Sequence, residues 1–343
     1  MMRRVFFPLL ACTLLGSFFI LDLATGSVTI PPHDVWAVLT GGDPSVASWK
    51  TILLLFRLPK ALAAIAAGMG LAVSGLMMQT LFRNPLAGPS ILGISAGASL
   101  GVAIVVLGSG LGLGGTGLIS GMGLGGNLSI VVAATLGAML VLVVILLAAQ
   151  RVQNVMTLLI VGLLGGFALN AGVSVLIHFS RPEMTQAYMA WSFGSFANVT
   201  WNELKIFLPV VLLGTLIACT FGKALNVLLF GETYARSMGV NFIWIRLVII
   251  TVTAILAGAV TAWCGPVGFI GIAVPHLARA LLGSSDHRFL LPATAVMGGV
   301  TALGADIIAQ MPGFETVLPL NAVTALIGSP VIIWFILRRR MVM

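Results

Sequence analysis

Charge is what this chain of 343 residues most lacks: only 8% of its residues are Asp, Glu, Lys or Arg, and 59% are hydrophobic. Soluble domains carry about 25% charged residues, so the chain cannot clothe a water-facing surface, and a soluble globular fold is excluded. Cysteine is scarce too. Cys12, Cys219 and Cys264 stand apart within apolar runs, and no Cys-x-x-Cys occurs. That excludes a zinc ribbon and a disulfide framework, and the three read as small apolar core residues. No G-x-x-x-x-G-K-[ST] loop is present to cradle nucleotide phosphates; Gly222-Lys223 lacks the rest of it. There is no His-Glu-x-x-His, and neither a catalytic Ser/His dyad nor a working pair of intramembrane aspartates is expected, so an intramembrane enzyme is not the expected reading. His33, His178, His276 and His287 are scattered over different segments, so neither a bound metal nor a cofactor is expected.

Long apolar runs are what the chain has in their place. A membrane span needs about 20 such residues, and ten stretches qualify: 5–24, 61–81, 91–107, 128–149, 156–178, 205–222, 246–264, 267–283, 289–309 and 319–337. The third and eighth are short and marked by glycine or proline. The first follows Arg3 and Arg4 as a secretory signal would, but it is long and no clean small-x-small site follows it; a retained helix is expected. The fold class is thus an all-α integral membrane protein of about ten transmembrane helices, a single domain over 1–343. The 41 glycines suit helices that approach closely in lipid.

Basic residues orient the spans. With the N-terminus cytoplasmic, 12 of the 17 Lys and Arg residues fall in inner segments and five in outer ones, as the positive-inside rule requires. Both termini are then cytoplasmic. The net charge of +8 follows from this topology, and no nucleic-acid partner is implied. Asp34, Asp43, Glu183, Glu203 and Glu315 fall outside. Trp36, Trp49, Trp191 and Trp201 lie near outer helix ends, where aromatic rings anchor at the membrane interface. The outer segment 108–126, with ten glycines in 19 residues, carries no chemistry.

One inner loop, 223–246, is longer than a turn. It holds a potential short helix over 232–238 closed by Gly239, a helix-stop residue, with Glu232 and Arg236 spaced to pair and to complement the helix dipole. A charged helix at the cytoplasmic surface is a plausible docking element. Other inner connections are tight: Arg83-Asn84-Pro85-Leu86, Arg151 to Val155, and Asp286-His287-Arg288. In 265–292 an apolar run carries Pro275, then His276 and Arg279 one helical turn apart. A proline inside a span frees backbone carbonyls that neighbouring helices must satisfy again, so this run belongs inside the bundle. His276 reads as a packed, hydrogen-bonded core residue. Asp306 is the clearest intramembrane acid and a functional candidate on that ground, with a structural role open beside it.

Five segments taken together resemble the FecCD-type permeases of ABC importers for vitamin B12, ferric siderophores and haem: RLPKALAA (57–64), SGLMMQTLFRNPLAGPSILGISAGASLG (74–101), GETYARSMG (231–239), GFIGIAVPHLARALLGSSDHRFLLP (268–292) and AVTALIGSPVIIWFILRRR (322–340). They occur in family order over most of the chain. The resemblance implies a type II ABC importer permease: ten helices per subunit, a homodimer around a central pathway, two copies of a separate ATPase inside, and a periplasmic or lipid-anchored binding protein outside. Helices 2–5 and 7–10 would form an inverted repeat, of which the runs 85–97 and 265–276 show a faint echo. Carried over residue by residue, Glu232, Ala235, Arg236 and Gly239 fall in the ATPase-coupling segment between spans six and seven. Arg57 and Lys60 match outer basic positions that dock an acidic binding protein, a device for orientation and on-rate more than for affinity. Asn84, Leu86, Asn154, Val155 and Met156 match the cytoplasmic gate, where Val155 and Met156 make an apolar constriction that could resist water and ions by dewetting. A further basic docking position is Gln310 here, and Val317 stands where relatives carry a glutamate.

The expected activity is inward movement of a metal chelate (ferric siderophore, haem or cobalamin) by alternating access across the bacterial or archaeal cytoplasmic membrane. A transporter driven by an ion gradient is the rival, and Asp306 with a few asparagines such as Asn170 is all it would have at the midplane.

Overall fold

The computed structural model describes residues 2–108, 127–152, 154–239, 241–311 and 317–340, and they are helical with short connections. Of the segment 108–126, all but Gly108 lies outside the described residues, as does Glu315. In chain order the helices are α1 (Met2–Ala24), α2 (Pro32–Leu39), α3 (Ala47–Leu81), α4 (Ile94–Leu107), α5 (Asn127–Arg151), α6 (Val155–Phe179), α7 (Pro182–Ser192), α8 (Trp201–Thr220), α9 (Gly222–Leu228), α10 (Glu232–Ser237), α11 (Phe242–Cys264), α12 (Ile270–Leu282), α13 (His287–Ala309) and α14 (Leu320–Arg340). Each of the ten expected stretches falls on one of them. Six helices, α3, α5, α6, α8, α11 and α13, are long and apolar enough to cross a membrane; α1, α4, α12 and α14 contain shorter apolar stretches.

Local chemistry sets the ends. Asn154, Asn241 and Asp286 cap α6, α11 and α13, each side chain accepting a backbone N–H of the first turn. Thr200 and Glu203 form a capping box on α8. The second expected span begins at 61, but α3 already starts at Ala47. Its stretch Ile52–Arg57 is wound as a π-helix just before Pro59, and the Leu54 carbonyl there accepts the Trp201 indole N–H at 2.7 Å. The third and eighth stretches are broken helices. A 3-10 turn, Pro89–Leu92, leads through left-handed Gly93 into α4, and α12 starts after Phe269, a non-glycine residue at φ 63°.

α3 is the axis of the bundle. It packs against α13, α11, α8 and α12, while α1 leans on α13, α5 on α4 and α11, and α6 on α4. Glycine makes the closest of these approaches possible. A Cβ on Gly68 would lie 2.1 Å from the Gly298 carbonyl oxygen, and one on Gly298 would lie 2.3 Å from that of Gly68. Backbones of α3 and α13 are thus in direct contact, as small residues allow in lipid.

Two expectations need correction. Only Cys264 among the three cysteines is buried; Cys219 is half-buried, and Cys12 is exposed on a cavity that Leu282, Phe289 and Pro292 also line. Trp36 is exposed as an interfacial ring would be, but Trp191 is buried against Tyr188.

Candidate functional site

The end of the bundle that holds Glu232 brings several expected residues together. α10 is held between two glycines in left-handed backbone, Gly231 (φ 100°) and Gly239 (φ 75°), a conformation that costs other residues a Cβ clash. Ala235 is fully buried, so α10 rests on the bundle by its smallest side chain. Outward it presents Tyr234 and Met238, and Phe230 ahead of it stacks on Tyr234 with ring centroids 5.2 Å apart. This exposed apolar patch around a short polar helix was missed at the level of sequence, where only the charged residues stood out. Side-chain placement of Arg236 lies outside the described residues; Gly239 is exposed.

Glu232 also lines a cavity of about 390 Å³ with Asn154, Val155 and Met156 from the start of α6 and with Arg83 and Phe242. Expected coupling and gate residues therefore share one space. Asn154 accepts the Met156 N–H at 2.8 Å, which fixes the entry to α6. Asn84 and Leu86 do not line that cavity. They form the neighbouring turn, in which Asn84 Oδ1 accepts the Leu86 N–H at 3.0 Å and Arg83 is held at φ 47°.

Pro275 acts as its chemistry demands. Having no N–H, it leaves the Gly271 carbonyl without its helical donor. α3 closes over that point: a Cβ on Gly75 would lie 1.7 Å from the Gly271 oxygen, and Gln79 Nε2 donates to the next carbonyl, Ile272, at 3.1 Å. Arg279 Nη1 donates to Gln79 Oε1 at 2.9 Å, and His276 Nε2 lies 2.8 Å from the Pro85 carbonyl. Both residues thus clamp α12 to α3 and the Asn84–Leu86 turn. The two broken segments also meet, since a Cβ on Gly271 would lie 2.6 Å from Pro89 Cδ.

At the opposite end, Arg57 and Lys60 point inward, 7% and 9% exposed. Arg57 donates to the Leu23 and Val28 carbonyls. Lys60 Nζ pairs with Asp306 Oδ2 at 2.7 Å and lies 3.7 Å from Asp22 Oδ1. Gln310 Nε2 bridges the two acids, at 2.9 Å from Asp22 and 2.7 Å from Asp306. Arg57, Lys60, Asp306 and Gln310 border a cavity of about 400 Å³ that Ser195, Phe56 and Val317 also line. The sequence singles out Asp306 but gives no sign of Asp22, which sits near the end of α1.

A third cavity, about 250 Å³, lies between α4 and α6. Ser90, Ser95, Ser99 and Asn170 are its polar lining. Beyond it α6 is bare, with Ile160, Leu164 and Phe167 exposed. No cluster of three or more His, Cys, Asp or Glu residues that could hold a metal occurs among the described residues. In the α12–α13 connection, hydrogen bonds from the Asn226 amide and the Arg288 backbone and side chain hold the Asp286 carboxyl down to about 2.

The described residues thus form an all-helical bundle crossed by broken helices, with cavities at both ends. The chain belongs to the FecCD transport family, whose model matches residues 13–338. It is similar to the vitamin B12 import system permease protein BtuC of Klebsiella pneumoniae, 37% identical over 94% of this chain and 90% of that one. The protein of the same name from Escherichia coli is 34% identical over 94% of this chain and 91% of that one. A metal-chelate-type ABC transporter solved in an inward-facing conformation has the same fold, with a TM-score of 0.82 and 26% identity over 96% of this chain and 97% of that one. The chain is a permease subunit of an ABC importer, not an enzyme.

Proposed function

We propose that this permease crosses the cytoplasmic membrane ten times with both termini inside, and moves a metal chelate of the cobalamin class inward by alternating access. The observation that carries this reading is the end of the bundle around α10, where an exposed apolar patch adjoins a cavity bordered by Glu232 and Met156. Exposed apolar surface on a cytoplasmic loop marks a protein contact, and the partner is a separate ATPase. Movement of α10 there would open or close the apolar constriction at Val155 and Met156. Cobalamin is favoured over ferric siderophore and haem by the named relatives at 34% and 37% identity.

Two copies of the chain would enclose the pathway. Support comes from α6, of whose membrane window only 11% is buried within one chain. Its free face with the Ser90, Ser99 and Asn170 cavity would make a weakly polar wall. At the outer end, Arg57 and Lys60 are the positive groups lining the cavity, and an acidic binding protein would dock over it. Their internal partners mean that a docking carboxylate competes with Asp306 for Lys60.

The test is reconstitution in liposomes with the partner ATPase and binding protein, following ATP hydrolysis and uptake of cobalamin, a ferric siderophore or haem. Uptake of cobalamin that needs ATP and is lost in Glu232→Arg is expected. Uptake that follows a proton or sodium gradient without ATP would overturn the reading, and accumulation of one of the other chelates alone would overturn its choice of cargo.

A further inference from the structure

Next to α10, three polar side chains, the half-buried Asn226 and the buried His287 and Thr80, form an unbroken chain between elements that are separate in sequence. His287, in the first turn of α13, is 1% exposed and uses both ring nitrogens away from its own helix. Its Nδ1 lies 2.8 Å from Asn226 Oδ1 on α9, and its Nε2 lies 2.8 Å from Thr80 Oγ1 in the last turn of α3. An amide oxygen only accepts, so Nδ1 carries the proton. Nε2 of the neutral ring then accepts from the Thr80 hydroxyl, whose alternative acceptor is the Leu76 carbonyl at 2.9 Å. Asn226 is fully engaged on this one junction. Its oxygen also accepts the His287 backbone N–H at 2.8 Å, and its Nδ2 donates to Asp286 Oδ1 at 2.7 Å.

The ends of the chain give it meaning. Asn226 precedes Glu232 by less than two helical turns, and α9 is seated by the buried Leu225 and Leu228. Thr80 is one helical turn before Asn84, the start of the turn beside the gate cavity. A buried hydrogen-bonded network is stiff and directional, and it is costly to leave half made. Apolar side chains would fill the same space yet slide.

We propose that Asn226, His287 and Thr80 are positioning residues that pass a displacement of α9 and α10 to the end of α3, so that ATPase movement is converted into gate movement. The inference rests on the reading of α10 as the ATPase contact. Coupling between sites needs such a physical connection with two arrangements, and the Thr80 hydroxyl, with its two acceptors, supplies one element that can switch.

The test uses the complete reconstituted importer and compares Thr80→Val, Asn226→Leu and the double variant with wild type. ATP hydrolysis, complex assembly and cobalamin uptake are measured on the same preparations. Wild type must first show ATP-driven uptake; if it does not, the functional reading fails before any variant is consulted. Given that activity, the single variants are expected to assemble and to hydrolyse ATP within about twofold of wild type. Uptake per ATP should fall about tenfold, inside the ~5–150-fold range of typical intersite coupling. The double variant should lose no more than the worse single, because both cut one chain. Should Asn226→Leu fail to assemble, Thr80→Val carries the test alone, since it removes one hydroxyl from a site that stays filled. Unchanged uptake per ATP, or hydrolysis and uptake falling in parallel, would overturn the proposal: the first means no transmission, the second a merely structural role.

Discussion

Helices α3 and α6 are both long and apolar, yet 83% of the membrane window of α3 is buried and 11% of that of α6. Apolarity therefore does not decide which helix lies inside. Lipid tails are as apolar as leucine, so no hydrophobic gradient draws a helix to the centre of a bundle, and close packing with polar ties does so instead. α3 carries Gly68 and Gly75 where other backbones touch it, a run of fully buried alanines, and polar ties at Lys60 and, near its C-terminal end, at Gln79 and Thr80. α6 touches the bundle through a thin line, Leu158, Gly162, Gly166 and Val173, and turns larger side chains outward.

The widest break in this contrast is expected from leucine at paired glycines. Gly75→Leu puts a side chain where a Cβ alone would lie 1.7 Å from the Gly271 oxygen, and overpacking on that scale costs about 3 kcal/mol or more. Gly165→Leu on α6 meets nothing within 4 Å and should leave stability within about 0.5 kcal/mol. Thermal unfolding of the two variants in detergent, measured side by side, checks this; equal losses would refute the packing account.

Next in size is Lys60→Met. It removes the cation shared by Asp22 and Asp306 and leaves two buried acids facing each other, a loss of about 3 kcal/mol for a broken buried pair. Adding Asp306→Asn to it should restore part of the stability, which denaturant or thermal titration of the single and double variants would show.

A smaller effect belongs to Asp286. Its carboxyl titrates near 2 in the folded protein, below an ordinary Asp at about 3.9. A depressed folded value means the stabilisation is present above the unfolded pKa and is lost as pH falls through that window towards 2. Asp286→Asn should therefore be less stable than wild type at neutral pH, with the gap closing in acid. A gap that stayed constant down to pH 2 would locate the effect elsewhere.

Least change in the single chain is expected from Leu164→Ala on the bare face of α6, within about 0.5 kcal/mol by the same thermal assay. If that face meets a second copy, the variant should still weaken dimers seen by cross-linking or light scattering. Unaltered dimers would leave the face to lipid.

Much of this was legible in the residues. Ten apolar stretches of membrane length and the tight turns between them follow from local rules, and Pro275 announced a carbonyl in need of a partner, which α3 closes over at Gly75 and Gln79. The short helix after Gly231 was readable from its glycine stop. What escaped was direction. Arg57 and Lys60 look like outward-facing cations at a helix start, yet they turn inward because the end of α1 offers the Leu23 carbonyl and Asp22, and α13 offers Asp306. The apolar patch of Phe230, Tyr234 and Met238 was equally hidden, since in so apolar a chain an exposed aromatic looks like any other.

By itself the sequence determined that this protein lies in a membrane, where its helices run and where they break, because hydropathy over a span and the missing proline N–H are local quantities. Only the tertiary structure decided which helix is the axis, which charges meet and which polar side chains tie α9, α13 and the end of α3 together. Those depend on side chains far apart in the chain meeting across helices of nearly equal apolarity, and no local rule ranks one such meeting above another.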